Sequence, residues 1–117
     1  MIQRAAGVLA GGAWCLVGGA IEPHESQPDA VCREFFEEIG GRVRAIERLW
    51  QYDRPDGGLR LYWWRCELLD DALTPNPAEV QDWRWCTLAE ALALPRLLDS
   101  NRTFLSQLGE RIAHDGT

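Results

Sequence analysis

Hydrophobic and polar residues follow a helical period after residue 26, and this pattern predicts a helix over Gln27–Ile39. Ser26, three residues before Asp29, resembles a capping box with Asp in place of Glu, and Pro28 suits the first turn of a helix. Gly40 would end the helix, because glycine accepts the left-handed conformation found at helix ends. The flanking residues therefore define where this helix starts and stops.

Shorter runs of β-favouring residues, separated by glycine- or proline-containing turns, are typical of strands. Gly11 and Gly12 split the first two runs, so we expect a tight hairpin there. Residues 54–58 supply another turn, since proline fixes φ and glycine accepts a positive φ. Predicted strands cover residues 5–10, 13–17, 43–52, 59–69 and 79–87, and further helices cover residues 88–94 and 101–113.

Helices and strands alternate along the 117 residues without repeats or linkers, which predicts a single α/β domain over residues 1–117. We expect a mixed β-sheet packed between helices. Hydrophobic residues make up 46% of the chain, and six Trp add large apolar area, so a core can form.

Cysteine, histidine and charge usage argue against several functions. The four Cys are widely spaced and His24 lies far from His114, so a zinc site or a Ser–His triad has little to build from. Buried reduced thiols fit a cytoplasmic protein. No run of about 18 apolar residues exists, so no membrane span is expected. The net charge of −6 argues against binding to nucleic acid.

The predicted helix concentrates acidic residues on one side. At 100° per residue, Glu34, Glu37 and Glu38 fall within one sector, whereas Cys32, Phe35, Phe36 and Ile39 form an apolar sector that should pack on a core. Like charges at this spacing repel, and a divalent cation would remove that penalty. Oxygen ligands on a rigid helix suit Mg²⁺ or Mn²⁺. A solvated acidic helix face is the alternative reading of the charges alone.

The spacing around this helix resembles the Nudix box, Gly-x5-Glu-x7-Arg-Glu-U-x-Glu-Glu-x-Gly-U, where U is a bulky apolar residue. Eight of the nine specified positions match without a gap, and Gly41 departs from the last one. The matching residues are Gly19, Glu25, Arg33, Glu34, Phe35, Glu37, Glu38 and Gly40.

The resemblance implies a fold and an assembly. It implies an α/β/α sandwich with the box on a loop and helix at one edge of the sheet core. Nudix proteins generally have more chain before the glycine pair, so an N-terminal edge strand is expected to be missing or covered by a partner subunit. An uncovered edge favours association, and the expectation is a homodimer.

The resemblance also implies metal-dependent hydrolysis of a nucleoside diphosphate linked to another group. It assigns Glu34, Glu37 and Glu38 as metal ligands, with the carbonyl of Gly19 as a further ligand. Glu34 and Glu38 are alternative candidates for the general base, and Arg33 would orient the glutamates. Glu25 is expected to be structural, pairing with Arg33.

Candidate site residues also lie outside the box, and each of them has an alternative structural interpretation. Glu79 is the candidate for an additional acidic ligand and Asp82 the second candidate, although an ordinary polar loop residue is the alternative for both. Trp50 and Trp63 are candidates for stacking on a nucleobase, although aromatic residues in strands are more often core. Trp63 and Trp64 must face opposite sides of the sheet.

The predicted substrate is a small-molecule nucleotide. The leading expectation is a nucleoside triphosphate, cleaved to the monophosphate and pyrophosphate with Mg²⁺ or Mn²⁺ as cofactor. The alternatives are ADP-ribose or a nucleotide sugar, and a binding module without turnover. The intact Arg33–Glu34 and Glu37–Glu38 pairs argue against the binding module.

Overall fold

The computed structural model describes the backbone of residues 1–115 and the side chains of residues 1–111. The side chains of His114 and of Ile112, which belongs to the helix predicted over residues 101–113, lie outside this range. In chain order the elements are β1 (Ile2–Arg4), β2 (Trp14–Cys15), α1 (Gln27–Ile39), β3 (Arg42–Asp53), β4 (Arg60–Asp70), β5 (Val80–Trp83), α2 (Leu88–Leu92) and α3 (Asp99–Asp115). Helices and strands combine as predicted for an α/β chain.

The chain divides into two compact units, one of residues 1–17 with residues from 75 onward, and one of residues 18–74. Within residues 1–115 the strands form a three-stranded sheet of order β2-β1-β5 and a two-stranded sheet of β3 and β4. The first sheet belongs to the first unit and the second sheet to the second unit. In this part of the chain, no helix is long and apolar enough to cross a membrane.

The unit of residues 18–74 is built on α1, whose bounds agree with the sequence prediction. The Ser26 side chain accepts a hydrogen bond from the amide of Asp29, which satisfies one of the donors left open at a helix start. Gly40 ends the helix at φ 75°, and its amide donates to the carbonyl of Phe36. The two ends of α1 are therefore set by hydrogen bonds between residues three or four positions apart.

The β3–β4 hairpin presents two different faces. Trp64 Nε1 donates to Gln27 Oε1 at 3.0 Å, and the thiol of Cys32 donates to the Val43 carbonyl at 3.2 Å, so α1 packs on the face that carries Trp64. Successive residues of a strand point to opposite faces. Trp63 and its cross-strand partner Trp50 therefore lie on the face away from α1.

The other unit places β1 at the centre of its sheet. Ile2 pairs with Cys15 of β2 and with Trp83 of β5, both antiparallel. A parallel bridge joins Trp14 to Leu97, which adds the second strand direction expected of a mixed sheet. The buried apolar residues of this unit are Ile2, Ala5, Ala13, Trp14, Cys15, Val80, Ala91, Leu94, Leu97, Phe104 and Leu105.

The predicted strand over residues 5–10 is wrong. The first strand is Ile2–Arg4, and residues 5–12 form successive turns instead. The amide of Val8 donates to the Ala5 carbonyl at 3.3 Å and the amide of Gly11 to the Val8 carbonyl at 3.1 Å. Leu9 is 87% exposed, so the apolar character of this run does not reflect burial.

The later strands were predicted with mixed accuracy. The bounds of β3 and β4 differ by one residue at each end from the predicted ranges 43–52 and 59–69. β5 covers Val80–Trp83, only part of the predicted 79–87, and the predicted second strand shrinks to Trp14–Cys15. α2 covers Leu88–Leu92 of the helix predicted over residues 88–94, and a capping box of Thr87 and Glu90 starts it.

Candidate active site

Arg33 of α1 gathers the acidic residues of the unit of residues 18–74. Its Nε and Nη2 bind the two oxygens of Glu25 at 2.7 and 2.9 Å. Its Nη1 binds Glu34 Oε1 at 2.9 Å and Glu37 Oε2 at 3.0 Å. Glu22 Oε1 lies 3.6 Å from the same nitrogen. The predicted pairing of Arg33 with Glu25 is confirmed, and Arg33 also reaches Glu37 one turn along the helix.

The loop before α1 is shaped to reach Arg33. The Glu25 amide donates to the Glu22 carbonyl at 3.1 Å. Pro23 and His24 fill the centre of this turn, with His24 at φ 67°, the pattern of a type II turn. Arg33 Nη2 also donates to the Ala20 carbonyl at 2.8 Å. The guanidinium therefore holds both ends of the loop against the helix.

Glu38 and Glu34 meet the glycine pair that precedes this loop. The amide of Gly18 donates to Glu38 Oε2 at 3.1 Å, and Glu38 is only 8% exposed. A Cβ added to Gly19 would lie 2.4 Å from the carboxylate of Glu34. A side chain at position 19 would therefore displace the Glu34 carboxylate from the place it occupies against the glycine pair.

Charge pairing shifts the acid–base equilibria in this cluster. Hydrogen bonds from Arg33, and then the bond from the Glu22 amide, hold the pKa of Glu25 below its usual range. The same carboxylate raises the pKa of Arg33 further above its ordinary value. Glu25 and Arg33 therefore stay ionised throughout the neutral range.

Residues 1–108 match the profile of the NUDIX domain family. The chain belongs to the Nudix family. The NUDIX match covers the Gly19–Gly40 box and most of the two units, and it confirms the resemblance drawn from the sequence. The predicted enzyme class, a Nudix hydrolase, is confirmed as well.

Similar proteins include two kinds of Nudix enzyme. The chain is 33% identical to the CTP pyrophosphohydrolase of Escherichia coli, over 81% of this chain and 70% of that protein. It is 28% identical to the NAD-capped RNA hydrolase NudC of Deinococcus radiodurans, over 76% of this chain. The chain spans about a third of the length of that hydrolase, since the match covers 32% of it.

A solved structure confirms the predicted Nudix-type fold class. The MutT protein of Methanosarcina mazei superimposes with a TM-score of 0.78 at 20% identity, covering 94% of this chain and 81% of that one. At this identity the similarity establishes the fold alone.

One face of the Nudix helix differs from its prediction. Phe36, expected in the apolar sector, is 55% exposed, whereas Glu38 is buried. The buried residues Ala30 and Glu38 lie two turns apart on the same side of α1. Glu37 points outward, with its side chain 51% exposed, while the side chain of Glu34 is 13% exposed. Glu34, Glu37 and Glu38 therefore lie in one sector of the helix but differ in their exposure to solvent.

The candidates outside the box lie elsewhere in the chain. Glu79 lies in the turn before β5, where its amide donates to the Asn76 carbonyl at 3.0 Å. Asp82 lies within β5, and its Oδ1 accepts from the amide of Trp83 at 2.8 Å. Both are exposed residues of the unit that lacks the box. Their role as ligands stays a prediction.

Sequence reasoning missed three groups in this Nudix site. Glu22 reaches Arg33, the Ala20 carbonyl accepts from it, and the Gly18 amide binds Glu38. The Pro23 turn is the signal that could have revealed Glu22, because a tight turn brings residues 22 and 25 together. Backbone partners carry no signal in a side-chain pattern.

Nudix hydrolases generally use divalent metals, and the donor chemistry of this site fits such an ion. Glu34, Glu37 and Glu38 offer the hard oxygen ligands that Mg²⁺ and Mn²⁺ take. Among the side chains of residues 1–111, however, no group of three or more His, Cys, Asp or Glu is arranged to hold an ion. Arg33 binds one oxygen each of Glu34 and Glu37. The second oxygen of each carboxylate would coordinate an ion while the first stays bound to the guanidinium.

Proposed function

We propose that the protein hydrolyses the pyrophosphate linkage of a nucleoside triphosphate, releasing the monophosphate and pyrophosphate. The observation that carries this proposal is the acidic cluster on α1 against the glycine pair, ordered by Arg33. The similarity to CTP pyrophosphohydrolase over 70% of that protein supports a triphosphate, and cytidine triphosphate is the first to test.

Glu34, Glu37 and Glu38 would hold the divalent ion, together with the Gly19 carbonyl. When bound, such an ion polarises phosphate oxygens and offsets the negative charge that develops on them. The chain's own contribution is to fix the donors in place. The Gly18 amide restrains Glu38, and the Arg33 guanidinium restrains Glu34 and Glu37.

Hydrolysis also needs a group that removes a proton from the attacking water. The water oxygen forms a bond to phosphorus, the bridging phosphorus–oxygen bond breaks, and a carboxylate oxygen takes the proton. Glu34 and Glu38 are the candidates, because both are shielded side chains beside the glycine pair. A carboxylate within hydrogen-bond reach of a bound water is suited to general-base catalysis.

A second candidate substrate is a dinucleotide diphosphate such as the NAD cap of an RNA. The similarity to NAD-capped RNA hydrolases favours it, although the chain spans only about a third of their length. ADP-ribose and nucleotide sugars contain the same kind of linkage. The expected absence of a nucleic-acid partner therefore stays a prediction, as do the cytoplasmic location and the homodimer.

A substrate panel with Mg²⁺ and with Mn²⁺ tests the proposal by identifying the products. Pyrophosphate with a nucleoside monophosphate supports a triphosphate substrate, whereas two monophosphate products from NAD or ADP-ribose support the second candidate. No turnover of any nucleotide with either metal would remove both.

Glu38→Gln tests the role of the Glu38 carboxylate with a side chain of nearly the same size. Glutamine keeps an oxygen that accepts from the Gly18 amide, so the melting temperature should change little. The carboxylate charge is lost, and we expect kcat to fall by roughly 10²- to 10⁴-fold. Undiminished turnover in this variant would contradict the role given to Glu38.

A further inference from the structure

Gly41 follows the glycine that ends α1 and stands where the Nudix box has a bulky apolar residue. It is buried although it has no side chain. A Cβ added at this position would lie 2.5 Å from Cε1 of Phe35 and 2.5 Å from Cδ2 of Leu73. The side chains of Phe35 and Leu73 therefore already occupy the space that a side chain at position 41 would need.

Leu73 differs from its neighbours in the segment after β4. Among residues 70–74 the others are exposed, whereas Leu73 is half-buried. Its side chain turns inward at the point where the box lacks a side chain of its own. The apolar group that packs against Phe35 at this end of the helix thus comes from a residue that lies far along the chain from the box.

The backbone of the same segment is fixed to the end of α1. The amide of Thr74 donates to the carbonyl of Ile39, the last residue of α1, at 2.8 Å. Carbonyl groups in the last turn of a helix have no partner within the helix, so the Thr74 amide satisfies one of them. The side chain of Leu73 and the amide of Thr74 therefore contact the same end of α1.

This end of the helix carries two of the three box glutamates. Glu37 and Glu38 belong to its last turn, and Glu38 Oε2 accepts a hydrogen bond from the Gly18 amide at 3.1 Å. Phe35, on which Leu73 packs, directly follows Glu34. Because a helix moves as a rigid body, a shift of its last turn would displace these carboxylates together.

We propose that Leu73 positions the last turn of α1, and with it the carboxylates of Glu37 and Glu38, by filling the space over Gly41. Leu73 is a positioning residue, because it acts through the helix and not through contact with an ion. The proposal rests on the proposed function, since it takes these carboxylates as metal ligands. Replacing residues that orient the ligands of a metal typically weakens its binding by about 10- to 100-fold.

Mn²⁺ binding tests Leu73 without any nucleotide. Free Mn²⁺ gives a sharp electron paramagnetic resonance signal that is lost on binding, so titration of the full chain measures the affinity. For Leu73→Ala we expect about tenfold weaker Mn²⁺ binding. Leu61→Ala is the matched control, because Leu61 is a half-buried leucine of β4 on the hairpin face away from α1. It should also lower the melting temperature but leave the Mn²⁺ affinity unchanged.

A compensating pair of substitutions separates positioning from stability. Leu73→Ala removes an isopropyl group beside Gly41, and Gly41→Val introduces an isopropyl group there. Gly41 does not have a positive φ, so valine can adopt its backbone conformation. Gly41→Val alone would collide with Leu73 and Phe35 and should weaken Mn²⁺ binding. Combined with Leu73→Ala, it should restore most of the Mn²⁺ affinity, because the Phe35 ring can move into the space that Leu73 leaves.

Native Mn²⁺ affinity in folded Leu73→Ala would overturn the proposal. A double variant that binds Mn²⁺ no better than Leu73→Ala would overturn it too, as would a native protein that binds no Mn²⁺. If Leu73→Ala does not fold, Leu73→Val removes a single methylene and should weaken Mn²⁺ binding in the same direction.

The substrate panel remains a separate result. Weaker Mn²⁺ binding by Leu73→Ala, together with a native protein that turns over no nucleotide, removes the proposed hydrolysis alone. Turnover by the native protein, together with unchanged Mn²⁺ binding by Leu73→Ala, removes the role of Leu73 alone.

Discussion

Arg33 binds carboxylates that stand before it, next to it and one turn after it in the chain. Glu25, Glu34 and Glu37 all lie within 3.0 Å of its nitrogens. Crowded carboxylates on a helix repel one another, and here a guanidinium with several donors in one plane relieves that repulsion. The sequence correctly predicts that the carboxylates lie close together, but it attributes the reduction of their repulsion to a bound metal ion. In the structure the Arg33 guanidinium provides part of that reduction.

Gly19→Ala tests the close approach between the glycine pair and Glu34. The added methyl group would lie 2.4 Å from the Glu34 carboxylate, which must move away. Because the displaced group is the end of a flexible side chain, the melting temperature should change little. We expect kcat/KM to fall roughly a hundredfold, as for other small misplacements of catalytic groups. Gly7→Ala, where nothing lies within 4 Å, is the control and should retain activity.

Glu25→Gln tests the ion pair with Arg33 through its pH dependence. The folded-state pKa of Glu25 is lowered, first by the hydrogen bonds from Arg33. Its contribution to stability is therefore complete above the ordinary Glu value of about 4.3 and disappears as the pH falls through the lower folded value. Melting curves of native protein and variant should differ clearly at pH 7 and converge as the pH is lowered well below the ordinary Glu value. A constant difference across this range would contradict the ion pair's contribution.

At the scale of elements, α1 was predicted residue by residue because its ends depend on local chemistry. Ser26 and Gly40 satisfy backbone groups within a few positions of themselves. The orientation of the helix does not follow from local chemistry. Phe36 is exposed, and Glu38 is buried with the Gly18 amide as a partner for its carboxylate. A helical wheel contains no information about such a backbone donor.

Gly40→Ala tests the end of α1. Gly40 adopts φ 75°, and an added Cβ would lie 2.8 Å from the carbonyl oxygen of Thr74. Left-handed backbone costs about 1–2 kcal/mol for a residue other than glycine, and the collision adds to that. Gly57→Ala separates the two effects, since Gly57 has φ 76° with nothing within 4 Å. In denaturant unfolding, Gly40→Ala should therefore lose more stability than Gly57→Ala, and equal losses would contradict the collision.

At the scale of the whole molecule, the sequence predicted long-range features best where the pattern was long. β3 and β4 are twelve and eleven residues, and their turn contains a proline and glycines that mark it clearly. β1 is three residues and was missed, because a strand that short offers too few alternations to detect. The Nudix box in the sequence showed which residues form the acidic cluster. The positions of their side chains follow from contacts with Arg33, which the sequence alone does not give. The orientation of a side chain depends on the residues that it contacts in space, and the order of residues along the chain does not show which residues come into contact.

The predicted homodimer belongs to this scale as well. Within the described chain no residue of β3 or β4 is fully buried, and Leu68 and Leu69 are 37% and 58% exposed. Apolar side chains on a hairpin favour association with a second surface. Sedimentation velocity at micromolar concentration should give a species of twice the 13.2 kDa chain mass. A single monomer boundary would remove the prediction.

The partner of Glu38 is a main-chain amide rather than a side chain. Any amino acid except proline supplies that donor. Substitutions at position 18 can therefore change the side chain without removing the hydrogen bond to Glu38. The partner of this buried carboxylate is thus kept by almost every amino acid that could stand at position 18. Descendants of this chain should vary more freely at position 18 than at position 19, with proline the forbidden substitution.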